Sequence, residues 1–475
     1  DIVIHPDDTL KLLVSTGNLG LSNYVLKTTD GGSVWSAATP ADFSGKTLLA
    51  QYASDPDVVY ASVADSTTGV GSLWRTDNFG DSWTQLSNSS TNAIFGVQGW
   101  YSHFVAVHPG DSTIVVHAGV PASRSTDGGI TFSGVGGTYS DHHAYAYDPL
   151  NPDILYVAND DGVYRSTNFG SNFTKVSTNL GTGQFYNGFS NSASDSLIAL
   201  GQVQDHIPGY LYQGSPVWPL SAVDEVGWTG IDQSNDFIMY AGTRDGGSIR
   251  KSINRGASFG AAGGGFSGIS CWNAPFVVSP SNPNVLYFGR SRIFKSTTGA
   301  ASWAATNGGL VLDGNPALSM AVSATNPDSI YVGTAPRVTR THVYRTTNGG
   351  AGWTDVTGPL PDRHPLDIAV DPLNPAIVYV GYGGSGTGHV FRTTDAGGSW
   401  TDITGTLPDI PVTALLVDPL NSSVVYLGSD IGVYISTNGG GSWEPFNDGL
   451  PEAVLVSDLT MTPSNRTLRA STHGN

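Results

Sequence analysis

Cysteine is almost absent. Cys271 stands alone among 475 residues, so no internal disulfide can form, and a buried small hydrophobe is the expected role of that side chain. Methionine is scarce as well, at three residues. Charge is thin, at 13% of the chain, and lopsided: 21 Lys and Arg against 39 Asp and Glu leave a net charge of −18. An acidic surface repels phosphate backbones and anionic lipid, which argues against nucleic acid or membrane partners and against polyanionic glycans. No run of 18 apolar residues occurs, so no membrane span is expected. Few lysines with abundant Ser, Thr, Asn and Gly point to an extracellular or periplasmic setting. A first residue that is Asp1 rather than Met fits a removed leader or a fragment.

Glycine, by contrast, is plentiful at 61 residues, and aromatic side chains make up 10%. This is the profile of a turn-rich all-β protein. The glycines and aromatics are also ordered. Arg392-Thr393-Thr394-Asp395-Ala396-Gly397-Gly398-Ser399-Trp400 lies between the β-prone runs Gly388–Phe391 and Thr401–Ile403. Its glycines permit backbone conformations that other residues resist, and Asp395 can accept hydrogen bonds from N–H groups of its own turn. Trp400 is placed to pack into the strand layer below.

The same pattern recurs with its acidic or amide position at Asp30, Asn78, Asp127, Asn168, Asn254, Thr298, Asn348, Asp395 and Asn438. Successive copies are 41–50 residues apart, except for one gap of 86 that marks an eroded copy ending near Trp218. A period of this size suits a four-stranded propeller blade. Ten full blades are expected, at 1–39, 46–88, 99–136, 142–178, 182–222, 225–263, 271–307, 315–357, 364–404 and 410–448, with a partial eleventh at 454–475. They could form one large ring or two joined rings across 1–475. The weakly repetitive stretch 200–226 is the candidate boundary between halves.

These repeats resemble Asp-boxes, the bacterial neuraminidase repeats of the sialidase superfamily, over nearly the whole chain. The nearest resemblance is to secreted bacterial sortilin-like or glycosyl-hydrolase-like repeat proteins. It rests also on Asp141-His142-His143, Asn159-Asp160-Asp161-Gly162, Gln184-Phe185-Tyr186 and Gln204-Asp205-His206. The group usually has Gln-Asp-Asn-Gly where this chain has Gln204-Asp205-His206-Ile207. The resemblance implies a propeller in which the box residues are structural and lie away from any active centre. The superfamily includes sialidases, xyloglucanases, sortilin-type receptors and assembly factors.

The chemistry-bearing residues therefore have to come from other loops. A glycosidase needs two carboxyl groups facing one bond, and Asp141, Asp205, Asp224 and Glu225 lie on non-box loops of the fourth to sixth blades. Trp100, Tyr101, Trp228 and Trp272, at blade openings, could stack on sugar rings or pack between blades. His142 and His143 could bind ligand near a central channel. Because strand neighbours point to opposite faces, the pair should not share one metal ion. Sialidase chemistry is not expected, since three placed arginines cannot be assigned. No Asp-x-Asp-x-Asp-Gly loop marks a calcium site, so calcium has no specific place and no other cofactor is expected. The reading is a secreted or cell-surface propeller that binds carbohydrate or protein on its loop face without catalysis, or as part of a surface assembly. The alternative is a xyloglucanase-like glycoside hydrolase acting on a neutral polysaccharide.

Overall fold

The computed structural model describes residues 1–17, 24–39, 45–65, 71–88, 91–96, 98–178, 180, 183–215, 224 and 226–474. Within these residues the repeat becomes a series of antiparallel sheets in which consecutive strands pair: nine of four strands, one of three and one of two. The three-stranded sheet, 190–213, stands where the box is eroded, and Trp218 lies outside the described residues. The two-stranded sheet, 456–472, is the partial eleventh repeat.

Each box is a hydrogen-bonded knot between a third and a fourth strand. Thr393 Oγ1 donates to Asp395 Oδ1 at 2.7 Å and accepts from the Gly397 N–H at 2.9 Å. Asp395 Oδ1 accepts in turn from the Ser399 N–H at 2.8 Å. Thr76 with Asn78, Ser125 with Asp127, Ser166 with Asn168, Ser252 with Asn254, Thr346 with Asn348 and Ser436 with Asn438 repeat the first of these bonds, as does Thr28 with Asp30. Gly397 has a φ of +92, and a Cβ there would meet Val356 of the preceding sheet at 2.8 Å, so this position requires glycine for two reasons.

The box tryptophan acts between sheets, not within one. Trp83, Trp303, Trp400 and Trp443 donate their indole N–H to the carbonyls of Ala38, Ala262, Val356 and Ile403, each in the sheet before. A second interlock uses a strand-two tyrosine. Tyr60, Tyr240, Tyr287, Tyr331 and Tyr379 are buried under Arg75, Lys251, Lys295, Arg345 and Arg392, whose charges sit 5.3–5.9 Å from the ring centres. Trp400→Ala should therefore cost about 3 kcal/mol of thermal or denaturant stability, from lost packing and the orphaned Val356 carbonyl. The same repeat position in the first sheet, Trp35, is 40% exposed, and its removal from this chain should cost less. A melt that treated the two changes equally would contradict the between-sheet role.

The chain divides into two compact units, 1–180 and 181–475. In the first, the innermost strands Ile2–Ile4, Gly45–Gln51, Phe104–His108 and His142–Tyr147 pack in sequence. In the second, seven innermost strands follow one another from Ser190–Asn191 through Thr229–Ile231, Phe276–Val278, Ala317–Val322, Pro365–Val370 and Val412–Val417 to Val456–Thr462. The last packs back on the first, so this unit is a closed seven-membered ring and the chain does not build a single ring of ten.

Closure explains why the division falls at 180/181 and not within 200–226. The segment 184–189 is bonded to the end of the chain: Gln184 bridges His473, and the Gly188 and Phe189 N–H groups donate to Asp458 Oδ2 at 2.7 and 2.8 Å. Asn187 reaches the carbonyls of Leu366 and Thr413, and its own carbonyl accepts from Asn273. The weakly repetitive stretch thus belongs inside the ring that it helps to close.

Candidate functional site

In the first unit, the sheet ends opposite the boxes carry a compact polar and aromatic group. Trp100 and Tyr101 come just before the innermost strand Phe104–His108, and Asp141 just before His142–Tyr147. Asp160 occupies the turn between Leu155–Asn159 and Gly162–Ser166, at the same end of the same sheet as Asp141. Antiparallel pairing of His142 with Asn159 is what brings the two acidic residues together across 19 positions of sequence.

Asp141 is held in the left-handed region, with φ +60, by its N–H bond to the Val120 carbonyl at 3.1 Å. Its Oδ1 accepts from Ser102 Oγ at 3.4 Å. Burial, and then the charge of Asp160, push its pKa up from the ordinary carboxyl value. Asp160 is clasped differently: His143 Nε2 lies 2.5 Å from its Oδ1, and the Tyr101 hydroxyl is 3.4 Å from the same oxygen. The rings of Tyr101 and His143 meet edge to face at 4.7 Å. Lys46, whose pKa is lowered by burial, props the loop from behind by donating to the Tyr101 carbonyl at 2.8 Å. Trp100 lies against Tyr101 and is 40% exposed, giving the group an open aromatic shelf.

The two histidines part company as strand geometry requires. His142 is buried, with Nδ1 2.8 Å from the Gly119 carbonyl and Nε2 3.0 Å from Thr138 Oγ1, which makes it a bond between sheets. His143 points the other way, to Asp160. Asp161 is a turn residue, bonded by Lys175 and by the Tyr164 hydroxyl. Among the described residues, no three His, Cys, Asp or Glu side chains are grouped as a metal ion would need.

The remaining candidates lie in the second unit. Tyr186 donates to Gln204 Oε1 at 2.6 Å and meets Trp272 and His473 edge to face at 5.3 and 5.1 Å. Burial and the neighbouring Asp205 raise the pKa of its phenol. Asp224 accepts from the Arg244 N–H at 3.3 Å. Trp228 is packing, not surface: it lies against the Phe276–Phe288 cluster, and its backbone crosses so close to Gly188 that a Cβ there would meet it at 2.5 Å. Glu225 lies outside the described residues. Cys271 is half-buried, and burial raises its thiol to about 11, as suits an inert side chain. Sequence reasoning passed over Asp160, because Asp-Asp-Gly reads as turn chemistry, and over Lys46 and Ser102, which carry no motif.

With this geometry in hand, the comparisons place the chain among β-propeller proteins. No protein-family model matches it. A xyloglucanase of Hypocrea jecorina (strain QM6a) is 28% identical over 205 residues, which are 42% of this chain and 22% of that relative; the chain is thus matched over less than a quarter of the relative's length. Among solved structures, a GH74 enzyme of Niastella koreensis superposes with a TM-score of 0.57 at 19% identity, covering 94% of this chain and 69% of its own. A GH74 xyloglucanase of Xanthomonas campestris gives a TM-score of 0.33 at 16% identity, with 96% and 80% covered.

Proposed function

We propose that the chain is a glycoside-hydrolase-type propeller that takes a neutral polysaccharide of the xyloglucan kind, and that its nine box turns are Asp-boxes of structural role. The observation that carries this reading is Asp141: a half-buried carboxyl whose proton affinity is raised by burial and by a second carboxyl group, Asp160, which the Tyr101 hydroxyl of the exposed Trp100–Tyr101 pair contacts. A raised carboxyl can hold a proton to give to a leaving glycosidic oxygen, and Asp160, positioned by His143 and Tyr101, supplies the partner group such a reaction needs. Trp100 offers the apolar face on which a pyranose ring stacks. The partial match to a xyloglucanase supports this over the non-catalytic binding reading. The net charge of −18 suits a neutral, not an anionic, glycan. A polymer of this size cannot enter a cell, so the same reading places the chain outside the cytoplasm.

Asp141→Asn should lower the release of reducing ends from xyloglucan roughly a hundredfold or more, the usual effect of losing a general acid. The melting temperature should hardly change, since the amide still accepts from Ser102. Because the active form of Asp141 is the protonated one, activity of the natural chain should fall as pH rises through its raised pKa. Full activity in the Asn variant, or none in the natural chain on any neutral β-glucan, would remove the hydrolase reading.

A further inference from the structure

With 21 basic side chains against 39 acidic ones, a cation in this chain has no shortage of partners. Arg75, Arg255 and Lys295, for example, each sit against an aspartate. Three arginines of the second unit do not. Arg290 and Arg292 occupy the turn between strands Leu286–Gly289 and Ile293–Ser296. Arg337 lies in the corresponding turn of the next sheet, between Ile330–Thr334 and Val343–Thr346. Both turns are at the sheet ends opposite the boxes.

All three arginines converge on loop 268–272, which leads towards the innermost strand Phe276–Val278. Arg290 Nε donates to the Gly268 carbonyl at 2.9 Å, and its Nη1 to the carbonyls of Asp245 and Gly246 at 3.1 and 2.7 Å. Arg337 Nη1 donates to the Ser270 carbonyl at 3.3 Å. Arg292 Nε donates to the Gly309 carbonyl at 2.9 Å, and its Nη1 passes 3.6 Å from where a Cβ on Gly268 would lie. Two residues of chain span at most about 7 Å, so three positive charges crowd one short loop. Among the described residues, each bond of these guanidinium groups runs to a main-chain carbonyl and none to a carboxylate. Asp245 acts on Arg290 through its charge, without a direct bond from its carboxylate. The bonds use Nε and Nη1, which leaves the Nη2 group of each arginine to donate to a ligand. Like charges held together in this way repel, and a bound anion relieves them.

The same loop carries an aromatic surface. Trp272 is exposed, and its ring meets Tyr186 edge to face at 5.3 Å, with His473 against the same tyrosine at 5.1 Å. The Trp272 carbonyl accepts from the Asp245 N–H at 2.7 Å, which ties the tryptophan to the turn that Arg290 also holds.

We infer that this face of the second unit binds a carboxylate-bearing sugar within a glycan that is otherwise neutral. The flat guanidinium fork matches a carboxylate, and Trp272 offers a face on which a pyranose ring stacks. Arginines already anchored on carbonyls lose little freedom when the ligand arrives. The net charge of −18 repels a long polyanion, so the acid sugars of the ligand are sparse. The role of the three arginines is to hold and select, and the site is separate from Asp141 of the first unit.

The test is calorimetric titration of the full chain with trigalacturonate, with its methyl ester and with triglutamate. Trigalacturonate should bind, more weakly as salt rises, and loss of its charge in the ester should weaken it about tenfold or more. Arg337 is exposed, so Arg337→Ala should keep the natural melt and bind about tenfold more weakly, while Arg337→Lys, which keeps the charge but not the fork, recovers only part. Trp272→Ala should weaken binding and leave its salt dependence unchanged. No binding of trigalacturonate, equal binding of its ester, triglutamate bound as tightly, or undiminished binding in Arg337→Ala would each overturn the inference. Binding needs no turnover, so these outcomes are read independently of whether the chain hydrolyses xyloglucan.

Discussion

Replacing Ser62 by alanine is expected to destabilise the first unit by about 3 kcal/mol, because two buried ring nitrogens lose their partner at once. Ser62 Oγ lies 2.8 Å from His103 Nδ1 and 2.7 Å from His117 Nε2, with all three side chains buried. Asn92 holds the other nitrogen of His117 at 3.1 Å, and Phe95 meets both imidazoles edge to face. The hydroxyl can donate to one ring and accept from the other, so neither histidine needs a charge. Burial holds both rings neutral, with His117 lowered from 6.5 to about 3 and His103 well below its ordinary value. The sign for pH follows directly. Between those values the unfolded chain binds protons that the folded chain refuses, so stability falls as pH falls below 6.5. At about pH 4, His117 alone should withdraw about 3 kcal/mol. Urea melts of the natural chain and of Ser62→Ala at two pH values, read by hydrogen exchange in peptides of 59–65 and 104–118, would check both figures. Equal melts for the two proteins would show that the serine is not the bridge.

The second unit should respond to pH in the opposite direction. Asp367 and Asp458 are half-buried on innermost strands, where each carboxyl joins its own sheet to the next. Asp367 accepts from the Ile368 and Leu415 N–H groups, while Asp458 accepts from Leu459 and, across the point of ring closure, from Gly188 and Phe189. Asp1 makes the same two-sided bond in the first unit, to Ile2 and Leu49. Burial raises Asp458 to about 6, and burial with the charge of Asp458 raises Asp367 well above the carboxyl range. A raised acid stabilises the fold below its unfolded pKa and loses that contribution as pH rises through its folded pKa. For the Asp367 and Asp458 pair, stability is therefore highest in acid and falls as pH rises past the raised values. The amides of Phe189 and Leu415 should therefore exchange faster as pH rises, beyond the intrinsic rate increase, and Asp367→Asn should flatten that excess. An excess that is absent, or unchanged in the Asn variant, would mean the two acids do not share the closure.

The repeat was legible in the sequence because its causes are local. A hydroxyl, an Asx residue and a glycine within five positions hold a box turn whatever surrounds them, as Thr393, Asp395 and Gly397 do. Period-two alternation on either side dictates the strands. The all-β class, the blade period, the eroded fifth copy and the opposite orientation of His142 and His143 all follow from such short-range rules. The Tyr and Arg or Lys interlock could have been read in the same way, from the recurring strand-two tyrosine and the basic residue before most boxes, as in Tyr379 and Arg392.

Tertiary structure alone decided how many blades make a ring, what each tryptophan packs on and which carboxyl groups meet. Closure runs through Gly188 and Asp458, 270 residues apart, and no local rule ties a residue to a partner at that distance. Trp35 and Trp400 have the same sequence surroundings, yet one is exposed and the other is bonded to the Val356 carbonyl, a contact between sheets that the box itself does not encode. Asp141 and Asp160 carry no joint motif. They meet because the hairpin between their strands returns the chain to the same end of the sheet, and the raised proton affinity of Asp141 arises only from the burial and charge found there.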